Sequence, residues 1–509
     1  MKSLDLIIIC GYLLGIVAFG TWFGRKQKTT RDYFLGDRSV PWWAVAFSIV
    51  ATETSTITFV SVPGIAFSRG GNFQFLQLVF GYLLGRIVIS ILFIPSYFRG
   101  ELMTVYQLLD RRFGGKIKVL AASLFVVMRN IADGIRLLLT AIVLAAVYTA
   151  FQPNANPETI IIASIVLIGL AMITFTYFGG MEAVIWVEVV QLAIYITGAI
   201  AAAVVLIGLI DGGFSAARGV ATAYGKFSLF DFSLSATKTF TFWSGLIGGC
   251  FLTMSTHGTD QYLVQRYLCT NRARHAIVAL LTSGGIVLVQ FIGFLFIGVL
   301  LFGFYQPFTD PGYLSATSAA FPFTGGDRVF PDFITRHLPS GLSGLVVAAI
   351  FAAAMSSSLN SIAATAVNDL YKPLRPKASD KHYLKVSHIL TLIWGVVQIG
   401  VALAVRNQAR SALDQALSIA SLINGPILGV FLVGTFLRRV SQPPALIGML
   451  VSIAAMLYVY FATKIAWTWY VFFGSLITFV VAWLASYAFA PAPDERRDEL
   501  APAIATDQQ

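Results

Sequence analysis

Long apolar stretches constrain the fold of this 509-residue chain more than any other feature. A transmembrane helix needs about 20 mainly apolar residues, and only 12% of the residues here are charged, against about 25% in soluble proteins. The chain is therefore predicted to be an all-α polytopic membrane protein. About 13 transmembrane helices are expected near residues 4–24, 41–65, 72–98, 117–150, 159–178, 182–210, 239–265, 276–304, 341–370, 384–405, 412–437, 443–463 and 466–490.

The basic residues are distributed unevenly between the two sides of these spans. With the amino terminus outside, 22 of the 35 Lys and Arg residues fall on the cytoplasmic side and 10 fall outside. The positive-inside rule therefore predicts a multi-pass protein of the plasma (inner) membrane, with its amino end out and its carboxyl end in the cytoplasm. Because topology explains the net charge of +11, the lipid bilayer is the expected partner and nucleic acid is not.

Sequence motifs argue against an enzyme. The chain has no HExxH, GxSxG or P-loop motif, and its five histidines have no metal-ligand spacing. Its three cysteines, Cys10, Cys250 and Cys269, form neither a paired framework nor a CxxC motif. No catalytic residue and no organic cofactor is predicted.

Two spans contain features that interrupt a helix. The second holds a polar run, residues 51–58, followed by Pro63, and the seventh combines glycines near 245–249 with polar residues 253–260. Irregular backbone at membrane depth is tolerated only where it is buried in protein or lines a cavity. The two spans are five helices apart, and paired broken helices in inverted repeats indicate the central site of a transporter.

The spacing of these breaks predicts the organisation of the chain. The two inverted repeats, of five helices each, are expected at 41–210 and 239–440, joined by an extracellular connection at 211–238. One extra helix with its cytoplasmic loop precedes them at 1–40. Two further helices (441–490) and a cytoplasmic tail (491–509) follow.

The ninth span is rich in small and hydroxyl side chains. Ser356, Ser357 and Ser358 lie within residues 350–371, where a helix facing lipid has little use for hydroxyl groups. These hydroxyls could supply the oxygen ligands that a hard cation such as Na⁺ requires. The alternative is close helix packing held by bonds from serine to backbone carbonyls.

Four segments, in order, resemble motifs of the sodium:solute symporter family. They are Thr176–Gln191, Gly258–Arg266, the pair Ala352–Ser357 with Leu359–Ser361, and Asn424–Gly429. The resemblance covers about residues 1–440. It implies a LeuT-type 5+5 inverted repeat with one helix before it and two after it. The implied function is Na⁺-coupled symport of a small polar organic solute, of the monocarboxylate, sugar or amino acid class, by alternating access.

The resemblance also implies a sodium site. Its ligands would be the backbone carbonyls of Ala51, Thr54 and Ala353 and the hydroxyls of Ser356 and Ser357. A second register, counted backward from Asn360, places Ala353 and Ala354 at the hydroxyl positions. In that register Glu53 becomes the substitute ligand.

The solute site implied by the resemblance gathers polar side chains from several spans. A separate set, Arg129, Asp133 and Arg136, shares one face of the fourth span. Either Asp133 pairs with an arginine, or a guanidinium is free for a solute carboxylate. The candidate solute-binding residues are Thr56, Thr58, Gln77, Arg136, Thr253, Thr256, His257 and Asn424.

Two carboxylates depart from the family pattern. Glu53 replaces a residue that is usually uncharged, and Val187-Glu188 stands where the family has Thr-Asp. Intramembrane carboxylates usually have a function, so Glu53 or Glu188 is hypothesised to take part in ion coupling. The alternative function is a proton-coupled or uniport carrier that uses these two carboxylates. Each could instead be a salt-bridged tether between helices. A membrane sensor is a further alternative, although such proteins need an output domain, and the 491–509 tail is short.

Overall fold

Helices account for all the regular structure in the part of the chain that the computed structural model describes, residues 3–23, 27–54, 56–152, 154–307, 326, 329–355, 358–406, 409–497 and 499–500. The first half contains α1 (Ser3–Phe23), α2 (Thr30–Leu35), α3 (Trp42–Glu53), α4 (Thr56–Phe67), α5 (Leu76–Leu92), α6 (Ile94–Tyr97), α7 (Tyr106–Phe113), α8 (Gly115–Phe151), α9 (Pro157–Leu209) and α10 (Gly213–Ala223). The second half contains α11 (Gly249–Gly258), α12 (Gln261–Leu268), α13 (Ala273–Tyr305), α14 (Val329–Arg336), α15 (Leu342–Met355), α16 (Leu359–Thr365), α17 (Asp380–Val405), α18 (Ala409–Phe436), α19 (Gln442–Ala462), α20 (Tyr470–Ala485) and α21 (Asp494–Arg497).

Several of these helices are long and apolar enough to cross a bilayer. Within the described ranges there are six of them: Ser3–Trp22, Pro157–Leu209, Ala273–Tyr305, Asp380–Val405, Gln442–Ala462 and Trp467–Ala488. Large apolar side chains stay exposed along them, including Val204, Val289 and Val396. Such surfaces suit contact with lipid, so the prediction of an all-helical, multi-pass membrane protein is confirmed.

The predicted fifth and sixth spans are joined more tightly than the sequence indicated. Both belong to α9, and the chain changes direction within it at Gly180, whose φ is 60° and ψ is −160°. A Cβ at this position would lie 2.7 Å from the carbonyl oxygen of Tyr33. Glycine is therefore required at this position for two reasons, the positive φ and the close approach of α2.

Both predicted helix interruptions are present. The second span divides into α3, which ends at Glu53, and α4, which begins at Thr56. The seventh divides into α11 and α12, and the Asp260 side chain caps α12 by accepting from the amide of Tyr262 at 2.8 Å. The ninth span is described as α15 and α16. Ser356 and Ser357, between them, lie outside the described residues.

Glycines bring α5 and α11 into backbone contact near these breaks. A Cβ at Gly81 would lie 2.8 Å from the carbonyl oxygen of Leu246 and 2.9 Å from the amide nitrogen of Cys250. A Cβ at Gly85 would lie 2.7 Å from the Cys250 carbonyl oxygen. Small residues permit such close approach of membrane helices, and here they hold α5 next to the second broken helix.

A buried lysine outside the spans caps the end of α4. Lys226, in the connection between α10 and α11, donates to the carbonyls of Ala66, Phe67 and Ser68 at 3.0, 3.1 and 2.6 Å. Its ammonium also lies 4.2 Å from the ring centroid of Phe302. Carbonyls at a helix end have no partner within the helix, and a cation there is favourable. Burial nevertheless lowers the pKa of Lys226 to about 8.

Raising the pH is expected to stabilise the wild-type protein relative to Lys226→Met. Between about pH 8 and the ordinary lysine value of 10.5, the unfolded chain binds a proton at this residue that the folded chain has released. Folding stability rises with pH wherever the unfolded state binds more protons. Thermal unfolding of both proteins from pH 7 to 10 measures the effect. A difference between them that stays constant with pH would contradict it.

Candidate functional site

The break between α3 and α4 forms the described half of the predicted sodium site. Ala51 and Thr54 are buried there, and the Thr54 hydroxyl lies 2.7 Å from the Val50 carbonyl and 2.9 Å from Oε1 of Gln290 on α13. The backbone of Ala353 lies in the last turn of α15, which packs against α4. Because Ser356 and Ser357 are outside the described residues, the ligand set remains a prediction.

Three titratable side chains meet beside this break. Glu53, the last residue of α3, accepts a hydrogen bond from Arg86 on α5 and is hydrogen-bonded to His257 on α11. Arg86 and His257 are buried, whereas the Glu53 side chain keeps 13% exposure. Thr256 Oγ1 lies 2.9 Å from the other ring nitrogen of His257. The cluster therefore connects both broken helices through α5.

The second unusual carboxylate is sealed inside the protein. Glu188 on α9 and Arg266 on α12 are both fully buried, with Oε1 2.6 Å from Nη2. Thr52 donates to Oε1 at 3.0 Å, and Ser48 donates to Oε2. Because hydrogen-bond donors already surround the Glu188 carboxylate, the structure favours the interpretation of this residue as a salt-bridged tether that joins α3, α9 and α12.

The charged face of α8 pairs mainly with other helices. Arg136 Nη1 lies 3.9 Å from Asp133 Oδ1, so the predicted pair within the helix is long. Asp133 instead accepts from the hydroxyl of Ser358 and from its amide at 3.2 Å, at the start of α16. Arg129 pairs with Asp260 at 3.1 Å, a contact between helices that the sequence pattern did not reveal.

A small cavity lies beside the Arg129–Asp260 pair. Its volume is about 40 Å³, and it is lined partly by Asn424. The Asn424 carbonyl accepts from the Ser255 hydroxyl at 3.0 Å. Asn424, a predicted solute residue on α18, therefore faces the cavity between α18 and α8.

The remaining predicted solute residues divide between two places. Thr58 donates to the Glu53 carbonyl at 3.1 Å, and Thr256 donates to the Leu252 carbonyl at 3.0 Å, so both lie near the Glu53 cluster. Thr253 is buried where α11 meets α5. Gln77 is farther along α5, where its Oε1 accepts from the Asp231 amide at 3.0 Å.

Not every predicted residue can be placed by its side chain. The backbone of Thr56 begins α4, and its side chain lies outside what the structure describes. Arg136 points its Nη1 toward the Tyr262 hydroxyl at 3.5 Å. The structure thus brings Thr58, Thr256 and His257 together, while Arg136 has its contacts on Asp133 and Tyr262.

Comparison with known proteins decides which family this geometry belongs to. A model of the sodium:solute symporter family matches residues 33–452. The chain belongs to that family. As a member of the sodium:solute symporter family it is a transporter and not an enzyme, and Na⁺ is its coupling ion.

Relatives in this family match almost the whole chain. The sodium/sialic acid symporter NanT of Aliivibrio fischeri is 31% identical over 492 residues, covering 96% of this chain and 94% of that protein. Sodium/sialic acid symporter SiaT of Proteus mirabilis is 29% identical, with 97% and 96% covered. Mouse sodium-coupled monocarboxylate transporter 1 is 27% identical, with 89% and 72% covered.

Solved structures agree with the family assignment. A Na⁺-coupled sialic acid symporter in a substrate-bound outward-open state superposes with a TM-score of 0.84 at 29% identity, covering 97% of this chain and 99% of that one. Mhp1, a nucleobase-cation-symport-1 family transporter, has a TM-score of 0.54 at 12% identity, covering 92% and 97%, and shows the fold alone. The symporter described here therefore has a LeuT-type fold.

Proposed function

We propose that this symporter carries a small organic acid together with Na⁺ by alternating access. Its relatives include proteins named for sialic acid and for monocarboxylates, and both are carboxylates. The observation that carries the proposal is the break between α3 and α4, where Thr54 is buried at the unwound position and α15 packs against α4, the helix that follows the break. Unwound backbone carbonyls of discontinuous helices coordinate Na⁺ in transporters of this kind.

The proposed ion site keeps the ligands expected from the sequence, the carbonyls of Ala51, Thr54 and Ala353 and the hydroxyls of Ser356 and Ser357. A cation there would hold the broken helix α3/α4 against α15, so that ion and solute would bias one conformational equilibrium. The proposed solute site comprises Thr56, Thr58, Gln77, Arg136, Thr253, Thr256, His257 and Asn424.

The proposed topology places the amino end outside and the carboxyl end in the cytoplasm, with thirteen spans. Residues 41–210 and 239–440 form the two inverted repeats. One span precedes them and two follow. The positive-inside charge bias supports this orientation.

Replacing Na⁺ with choline is expected to abolish concentrative uptake in proteoliposomes. N-acetylneuraminate and L-lactate serve as labelled probes, with sodium and pH gradients imposed separately. An inward Na⁺ gradient should concentrate the labelled solute inside the vesicles, and the accumulated solute should leave again when the gradient is dissipated. Uptake that persists in choline and follows the pH gradient would favour the proton-coupled alternative through Glu53 or Glu188. Uptake that follows neither gradient would indicate a uniport carrier.

A further inference from the structure

Two buried Arg–Glu pairs within the described ranges, Arg86–Glu53 and Arg266–Glu188, differ in how many donors of the arginine are used. Every side-chain nitrogen of Arg266 has a hydrogen-bond acceptor: Nε reaches Ser48 at 3.0 Å, Nη1 reaches the Tyr262 carbonyl, and Nη2 reaches Glu188. In Arg86 only Nη2 reaches an acceptor oxygen, that of Glu53. Its Nε and Nη1 are buried without a hydrogen-bond partner among the described residues.

The spare donors of Arg86 indicate a missing acceptor. The side chain is 1% exposed, and leaving buried donors unpaired is costly. A guanidinium presents a planar fork that a carboxylate fits with two parallel hydrogen bonds. The arginine lies against Gly284 of α13, where a Cβ would come within 2.9 Å of its Cδ. The protein therefore leaves room for this guanidinium and fills only part of its bonding capacity.

Glu53 links this arginine to the proposed ion site. It is the most exposed of the three residues in its cluster, at 13%, and it directly precedes Thr54 in the chain. Two residues before it is Ala51. A carboxylate freed from Arg86 would thus lie within two residues of the carbonyls proposed to bind Na⁺, and its charge would increase the attraction for the cation.

We propose that the solute carboxylate and Glu53 exchange places on Arg86, and that this exchange couples solute binding to ion binding. When the solute carboxylate bonds to Arg86, the Glu53 carboxylate is released toward the break and strengthens Na⁺ binding. When Na⁺ binds first, it draws Glu53 away and leaves Arg86 ready for the solute. No proton moves, because one carboxylate replaces another on the same guanidinium. The inference rests on the proposed function.

Thermodynamic reciprocity makes the exchange measurable. If the solute raises the affinity for Na⁺ by some factor, Na⁺ raises the affinity for the solute by the same factor. Thermal stability of the full-length protein in nanodiscs, titrated with NaCl in the presence or absence of N-acetylneuraminate or L-lactate, yields this factor. The wild-type factor is expected to be about 5- to 150-fold.

Glu53→Gln is expected to bind the carboxylate more tightly and to lose coupling. The amide is a weaker competitor for Arg86, and it carries no charge to offer the cation. The coupling factor should therefore fall toward one. Glu53→Gln combined with Arg86→Gln keeps the site neutral, so it avoids an unpaired buried charge. This double variant should bind N-acetylneuraminate no better than its uncharged methyl ester.

A matched control removes an ion pair elsewhere. Asp110 on α7 pairs with Lys118 on α8, away from the break, and Asp110→Asn should keep the wild-type coupling factor. A folded Glu53→Gln protein with an unchanged factor would overturn the exchange, as would a double variant that still prefers the acid to its ester. If no carboxylate shifts the Na⁺ titration of the wild type, the proposed function itself is wrong.

Discussion

Replacing Arg266 with methionine is expected to destabilise the protein by about 3–5 kcal/mol. The substitution leaves the Glu188 carboxylate fully buried without its cation, although Ser48 and Thr52 still donate to it. Burying an uncompensated charge costs far more than losing an exposed ion pair. Size-exclusion profiles and thermal unfolding in detergent measure the loss.

Two comparisons isolate the buried charge as the cause. Arg266→Met combined with Glu188→Gln removes both charges and should recover most of the stability, since neutral replacements of buried pairs are often tolerated. Arg31, exposed and 3.1 Å from Glu101, is the matched control. Arg31→Met should change stability by about 0–1 kcal/mol. If Arg266→Met alone is as stable as Arg31→Met, the pair is not a structural tether.

Adding one methyl group at Gly81 is expected to destabilise the protein by about 1–3 kcal/mol. The alanine Cβ would enter the backbone of Leu246 and Cys250, and neither contact is a flexible side chain that can move away. Helix α5 must therefore shift from α11. Because α5 carries Arg86 and α11 carries His257, the shift should also weaken Na⁺ binding in the thermal titration.

Gly293→Ala on α13 is the matched control for that substitution. Its added Cβ would meet no atom within 4 Å, and alanine is favoured over glycine within a helix by about 1 kcal/mol. Gly81→Ala is therefore predicted to lower the stability of the protein, and Gly293→Ala to raise it. Equal changes in stability at Gly81 and Gly293 would show that the backbone contact between α5 and α11 does not determine the cost of the added methyl group.

The sequence predicted the features that local composition determines. Apolar runs located the spans because a bilayer-crossing helix must hide its backbone within an apolar segment. The polar run at 51–58 and the glycines and polar residues of 245–260 located the breaks, which the structure has at Thr54 and at Thr259–Asp260. The family resemblance and the coupling ion also followed from motifs of this local kind.

Contacts between distant helices were beyond the sequence alone. The partners of Glu53 are 33 and 204 positions away, and Ser358 is 225 positions from Asp133. Asp133 illustrates the difficulty, because helical spacing pointed to an arginine on the same face of the helix, while the fold places Ser358 closer. Spacing reports which residues share a face, whereas pairing depends on the helix packed against that face. The ligating role of Ser356 and Ser357 stays a prediction.

The bond between Asp133 and Ser358 joins α8 to the start of α16 across the interior. A displacement of the helix that follows the serine run should therefore be transmitted to α8, whose outer face carries exposed Val127. A fluorescent or spin label at that surface position would consequently register a movement of Ser358. Probes could thus follow the transport cycle without modifying any residue proposed to touch the cargo.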